Sequence, residues 1–152
     1  MYSIDEIMDM LDWNNSAEIQ QKGIELAHSV ESINVFVLPA NPRSSKNVWG
    51  NCAKILSDKP DEKLNPYLSQ LLEWLEDLNW PGASIILDRL KKYCDVQWLS
   101  FELVIYVKRA VATKSHVWLS NLAELLDNEK LKAMLPEDIQ EILQKYYHFS
   151  WD

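Results

Sequence analysis

Leu71, Leu72, Leu75 and Leu78 recur at spacings of three and four, and Trp74 widens the stripe they make. That period places them on one face of an amphipathic helix. The next five residues, Asn79, Trp80, Pro81, Gly82 and Ala83, read as a stop, a corner and a start. Asn79 ends the first helix. Pro81 has no N–H to lose and a preset φ, which suits a first helical position, and it pushes Trp80 out of the α region. Ile85, Ile86 and Leu90 form the stripe of the next helix. The spacing predicts a tight hairpin, helices over 64–78 and 81–93, with Trp74 and Trp80 plugging the corner. Asp77 and Asn79 are expected to hold that corner by bonding free backbone groups at the helix ends.

Similar patterns run along the rest of the chain. Ser3, followed three residues later by Glu6, is a capping box, and Ile4, Ile7, Met8 and Leu11 make the stripe behind it. Asn15 or Ser16 caps a second helix through Val30, with Ile19, Gly23, Ile24 and Ala27 inward. The small residues 23 and 27 allow close helix approach. Ile33 to Leu38 is β-branched and apolar, so either a strand or a short buried helix fits; the lack of a pairing partner favours the helix. Pro39 to Arg43 is a loop on composition. Ser44 or Ser45 caps a helix to Leu56 or Ser57, with Val48, Trp49, Cys52, Ile55 and Leu56 inward. Pro66 sits in the first turn of the hairpin's first helix.

Residues 96–112 form the longest apolar stretch, carrying Trp98, Leu99, Phe101, Leu103, Val104, Ile105, Tyr106 and Val107. Its length fits a helix buried on most sides, and Lys108 and Arg109 suit a helical C-terminus. Thr113 to Ser115 is a corner, with Ser115 capping a helix through Asp127 whose inward set is Val117, Trp118, Leu119, Leu122, Leu125 and Leu126. Leu131, Met134 and Leu135 form a short link. Pro136 begins the last helix, lined by Ile139, Ile142, Leu143 and Tyr146. Residues 146–151 are aromatic enough to fold back over the end of the core.

Only three of the 152 residues are Gly. That scarcity argues against strand-rich folds with many tight turns and against phosphate-cradling loops. The corners before residues 16, 45, 81 and 115 are separated by roughly 29, 36 and 34 residues, a period that stacked helical hairpins use. The expected fold is therefore all-α: a single domain over 1–152 of about seven to nine helices, stacked as a HEAT- or armadillo-like α-solenoid. An irregular helical bundle gives much the same pattern.

Net charge is −8, and its distribution says more than its sum. Residues 1–31 hold seven acids against one base, Lys22, for −6. Residues 81–114 hold three acids against six bases, for +3. Nucleic acid is a poor partner for such a chain, because binding it needs a dominant basic footprint. A basic protein suits the acidic end. No apolar run reaches the roughly 18 residues of a membrane span, and no signal peptide opens the chain, so a cytoplasmic protein without membrane contact is expected.

The run Leu72-Glu73-Trp74-Leu75-Glu76-Asp77-Leu78-Asn79-Trp80-Pro81 resembles the Leu-Glu-Trp-Leu-x-Asp-x-Asn-Trp-Pro signature of a group of small bacterial domains of unknown function. The surrounding pattern over 64–127 is similar too, whereas the acidic first 60 residues lie outside the likeness. The resemblance implies HEAT-like hairpins and an accessory role. Several such domains resemble immunity proteins found beside polymorphic toxins.

No motif carries chemistry on its own. His28, His116 and His148 have no metal-binding spacing. Cys52 sits on an apolar helix face, as a small buried hydrophobe does. There is no nucleophile elbow. Glu73, Glu76 and Asp77 fall at i, i+3 and i+4, a spacing shared by acid/base pairs and by any solvated helical face. The better candidate is the first hairpin: Asp5, Asp9, Asp12, Glu18 and Glu25 as docking carboxylates, with Trp13 as aromatic anchor. The expected function is a non-enzymatic interaction module without a cofactor, in the form of an immunity protein that blocks a basic toxin. The alternative is a structural or adaptor domain in a bacterial assembly. Oligomeric state is left open by the sequence.

Overall fold

The computed structural model describes residues 1–37 and 46–148, and every regular element among them is helical. α1 (Ile4–Met10) and α2 (Ala17–Ala27) are followed by 3₁₀ turns at Ile33–Phe36 and Lys46–Val48. Then come α3 (Trp49–Ser57), the single turn α4 (Asp61–Leu64), a 3₁₀ turn (Asn65–Tyr67) and α5 (Leu68–Trp74). α6 (Ala83–Lys91), α7 (Val96–Ala112) and α8 (His116–Ala123) follow, and after the 3₁₀ turn Glu124–Asp127 come α9 (Glu129–Met134) and α10 (Glu137–Tyr146). The all-α expectation holds. The ambiguous apolar segment forms a 3₁₀ turn over Ile33–Phe36, with Ile33 and Phe36 buried.

The helices pack in sequence order as two rows. α2 meets α3, α3 meets α6, α6 meets the turn after α8, and α8 meets α10; on the other side α5 meets α7 and α7 meets α9. One apolar core runs through both rows, from Ile7 to Leu143. Gly23 permits the closest approach in the first hairpin, because a Cβ there would lie 2.8 Å from Met10 Cβ. Ser3 Oγ accepts from the Glu6 N–H at 3.1 Å, and Ser16 Oγ accepts from the Ile19 N–H at 3.3 Å, as the capping signals predict.

Several local expectations fail, and the causes are tertiary. α5 ends at Trp74, not at Asn79, and α6 starts at Ala83, so Pro81 lies in the corner and outside the helix. Carbonyls that a longer α5 would use internally are taken by side chains about 45 residues downstream. The Trp118 indole donates to Leu72 O at 3.1 Å, and the Asn121 amide donates to Leu75 O at 2.8 Å. Ile4, Ile19 and Val117 are exposed, not inward. Ser115 makes no cap bond to α8; its hydroxyl pairs with Thr113 Oγ1 at 2.7 Å. α3 follows Val48 without a side-chain cap. Ser44, Ser45, the Pro39–Arg43 loop and the last aromatic residues, 149–151, lie outside the described residues. α7 has the predicted ends, but it is not buried on most sides: Trp98, Phe101, Ile105 and Val111 are exposed.

Buried asparagines close two further helix ends. Asn51 donates to Leu11 O at 2.7 Å, beyond the end of α1. Asn128 donates to Leu90 O and Tyr93 O at 3.1 and 3.0 Å, finishing α6, while its Oδ1 accepts from the Leu131 N–H to start α9. Replacing Asn128 with Ala leaves the buried Tyr93 carbonyl without its donor, while Leu90 O keeps the Tyr93 N–H, and it removes the cap of α9. The expected loss is about 2–4 kcal/mol, to be read from urea unfolding.

Candidate functional site

The Trp74–Pro81 corner is the most tightly specified part of the molecule. Trp74 is fully buried and its indole N–H donates to Pro81 O at 3.0 Å. Trp49 packs edge-on against Trp74 and Trp80, at centroid separations of 6.0 and 5.8 Å. Asp77 Oδ1 accepts from the Asn79 N–H at 2.8 Å, as expected of a corner aspartate. Asn79 itself is exposed. Gly82 has φ +82°, and a Cβ there would stand 2.6 Å from Ala53 Cβ and 2.9 Å from Trp49 O. The three rings pack on one another, and Lys46 Nζ lies 5.6 Å from the centroids of both Trp49 and Trp80, so these faces are occupied by the chain itself.

Beside it the fold brings together two features far apart in the chain. Glu76 lines a cleft of about 530 Å³ with Lys114, Ser115, His116, Val117 and Trp118. Partial burial and then the neighbouring Glu73 charge hold the Glu76 carboxyl above its ordinary range, with Arg109 opposing. Glu73 accepts from Tyr106 Oη at 3.1 Å and faces Arg109 at 3.8 Å. His116 Nδ1 lies 2.8 Å from Tyr146 Oη. The cleft is wide open, and of its polar side chains Ser115 is bonded to Thr113 and His116 to Tyr146. A second cluster, Glu124, Asp127 and His148, has its potential ligand atoms within 4.8 Å of one another. There Lys91 lies 3.1 Å from Asp127, Tyr147 donates to Asp127, and His148 Nε2 lies 3.3 Å from Glu124, so each potential ligand already has a neighbour within the chain. Neither grouping was visible in sequence spacing, because each joins residues from separate segments of the chain.

Other perturbed groups are structural. Burial alone would raise the Asp61 carboxyl. The Arg89 guanidinium at 2.5 Å and the N–H groups of Asp95 and Cys94 outweigh that and hold it below the usual range. Asp61 thereby pins α4 to the corner between α6 and α7. The thiol of Cys52 is pushed up to about 12 by burial, which removes the thiolate that a nucleophile needs.

The first hairpin presents its carboxylates outward. Asp5, Asp9, Glu18 and Glu25 are exposed, and Trp13 is 53% exposed. Asp12 is different. It is half-buried and accepts from the Asn14 N–H at 2.8 Å and from Asn47 Nδ2 at 3.5 Å, so it secures the turn. Lys22, the only base of residues 1–31, lies over the Tyr2 ring and donates to Tyr2 Oη at 2.7 Å. None of the described ion pairs uses an acid of this segment. Tyr2, Ile4 and Ile19 are also exposed there, which adds apolar surface among the charges.

The surface that the sequence reading missed is on α7. Trp98, Phe101 and Ile105 are 54%, 65% and 42% exposed, and they share one helical face with Lys108. The signal was present as a second apolar stripe. Val96, Leu99, Leu103, Tyr106 and Val107 already fill the inward face, so 98, 101 and 105 have no core left to enter.

A stack of helical hairpins with two exposed surfaces of opposite character is the class of molecule that these observations define. The chain belongs to the family described as "Domain of unknown function (DUF5071)", whose model matches residues 50–148. The match takes in the corner and α7 and leaves the acidic hairpin outside. No curated protein and no solved structure matches the chain. No helix among the described residues is long and apolar enough to cross a membrane.

Two measurements check the site geometry. Gly82→Ala introduces a clashing Cβ at a left-handed position and is expected to cost about 2–4 kcal/mol. Gly50→Ala, with no atom within 4 Å of the added Cβ, is expected to be neutral or to gain up to about 1 kcal/mol. In thiol titration with a disulfide reagent at pH 8, exposed Cys94 is expected to react at once and buried Cys52 only on unfolding.

Proposed function

We propose that the protein is a non-enzymatic protein–protein interaction module whose acidic first hairpin docks on a basic protein. The observation that carries this is the uncompensated charge of residues 1–31: net −6, outward carboxylates outside every described ion pair, and the only base occupied by Tyr2. A field of that kind steers a cationic partner and speeds its capture. Half-exposed Trp13 sits among the carboxylates as an aromatic anchor suited to the centre of an interface. The two rows of sequential packing support a HEAT- or armadillo-like α-solenoid, a scaffold that offers long surfaces for partners.

The partner we favour is a nuclease-type toxin, which must be basic to hold nucleic acid, with this chain as its bacterial, cytoplasmic immunity protein. An inhibitor of a toxin gains from fast electrostatic association, because the toxin must be caught before it acts. The adaptor reading is separated from this one by coexpression with the product of the adjacent gene. Immunity predicts growth rescue and a stable complex; housekeeping neighbours and no rescue favour the adaptor.

The surface is tested by reversing Asp5, Asp9, Glu18 and Glu25 to Lys. Affinity is expected to fall at least tenfold at about 150 mM salt, where the screening length is roughly 8 Å. Asp12→Asn probes the turn and is expected to lower stability more than it changes the salt dependence of binding. Unchanged capture by the fourfold reversal removes this face. Capture that survives about 1 M salt, with screening at roughly 3 Å, removes the electrostatic mechanism.

A further inference from the structure

The exposed stripe on α7 has an internal symmetry. Trp98 and Lys108 each lie five positions from Leu103, and Phe101 and Ile105 each lie two positions from it. At 100° per residue all four project within one broad face of the helix, and all four are exposed. If α7 meets an antiparallel copy of itself about a two-fold axis at residue 103, Phe101 falls opposite Ile105 and Lys108 opposite Trp98. The pairs are chemically matched, an aromatic ring on a branched aliphatic chain and an ammonium over an indole face. An isologous contact needs this kind of self-complementarity, in which residue i meets j while j meets i.

We propose that the protein forms a two-fold dimer through antiparallel packing of α7 on α7. Fully covered aromatic side chains bury roughly 150–250 Å² each. At the exposures given above, Trp98, Phe101 and Ile105 leave on the order of 300 Å² of apolar surface per copy. Two copies therefore bring about half of the roughly 1,200 Å² at which stable interfaces begin. Lys108, Val111 and Ala112, which are exposed beside the stripe, supply further contact. The charged groups flanking the stripe are Glu102, half-buried, and Arg109, exposed. They sit on the same edge, so each copy offers one acid and one base to the rim, with Lys108 directed to the indole. The dimer is of the weak class and fills with concentration. It does not depend on the acidic hairpin or on any toxin.

Sedimentation velocity on the full chain from about 5 µM to 1 mM tests this. The expected result is a monomer–dimer equilibrium. Phe101→Glu should raise the dissociation constant at least tenfold with unchanged circular dichroism, because Phe101 is mostly exposed in the monomer. Trp98→Lys should weaken the dimer similarly by setting Lys against Lys108. The exchange Trp98→Lys with Lys108→Trp should restore it, because each pair is kept with its members reversed. A monomer at every concentration overturns the proposal, whether or not the stripe then takes up anionic vesicles or an acidic peptide. A dimer indifferent to Phe101→Glu overturns it too, and failure of the exchange to restore the Trp98→Lys variant overturns the antiparallel register.

Discussion

Stacking short helices leaves carbonyls at their C-terminal ends with no partner inside the helix, and burial makes each of these costly. This molecule meets that constraint with side-chain amides from other hairpins. Asn51, Asn121 and Asn128 are three of the four buried polar residues among the described residues, and each donates to the end of a helix from an earlier unit. The Trp118 indole does the same at Leu72 O, and Arg89 at Lys59 O. Because every donor lies some 30–46 residues from its acceptor, the bonds that terminate helices are also the bonds that order the hairpins. Apolar contacts alone would allow neighbouring units to slide. A buried amide without its carbonyl would not.

That dual role explains which parts of the fold could be read from the chain. Apolar length located α7 to the residue, and stripes at spacings of three and four located the other main helices closely, since both are local properties. Ser3 and Ser16 were legible caps for the same reason. The end of α5 was not, because Trp118 and Asn121, not Asn79, decide it. The corner's membership was legible, Trp74 and Trp80 included, but its length was not. Gly82 rather than Pro81 sets the entry to α6, and its necessity comes from Ala53 and Trp49, which no local pattern connects to it.

Surface chemistry divides in the same way. The acidic hairpin was legible from composition because charge excess needs no tertiary information, yet Asp12 turned from docking group to turn residue once Asn47 was placed beside it. The α7 face was misread for the opposite reason. Its apolar residues matched a core pattern, and only the packing of α5, α8 and α9 around α7 shows which stripe the core uses. The cleft near His116 and the cluster at Asp127 each join separate segments, so spacing carried no trace of them.

The hydrogen bonds that join the first hairpin to the rest have a further meaning. Asn51 reaches back to Leu11 O and Gln20 Oε1, and Asn47 accepts from the Trp13 N–H and donates to Asp12. Most of these are bonds to backbone or to a short turn, and they make no use of the outward carboxylates. The seam therefore reads shape and leaves charge unread. A lineage could exchange one set of outward residues for another, or graft a whole terminal hairpin bearing the same turn, while the 50–148 body kept its internal bonds. The outward charges of the first hairpin and the bonds that hold it in place are thus carried by different residues.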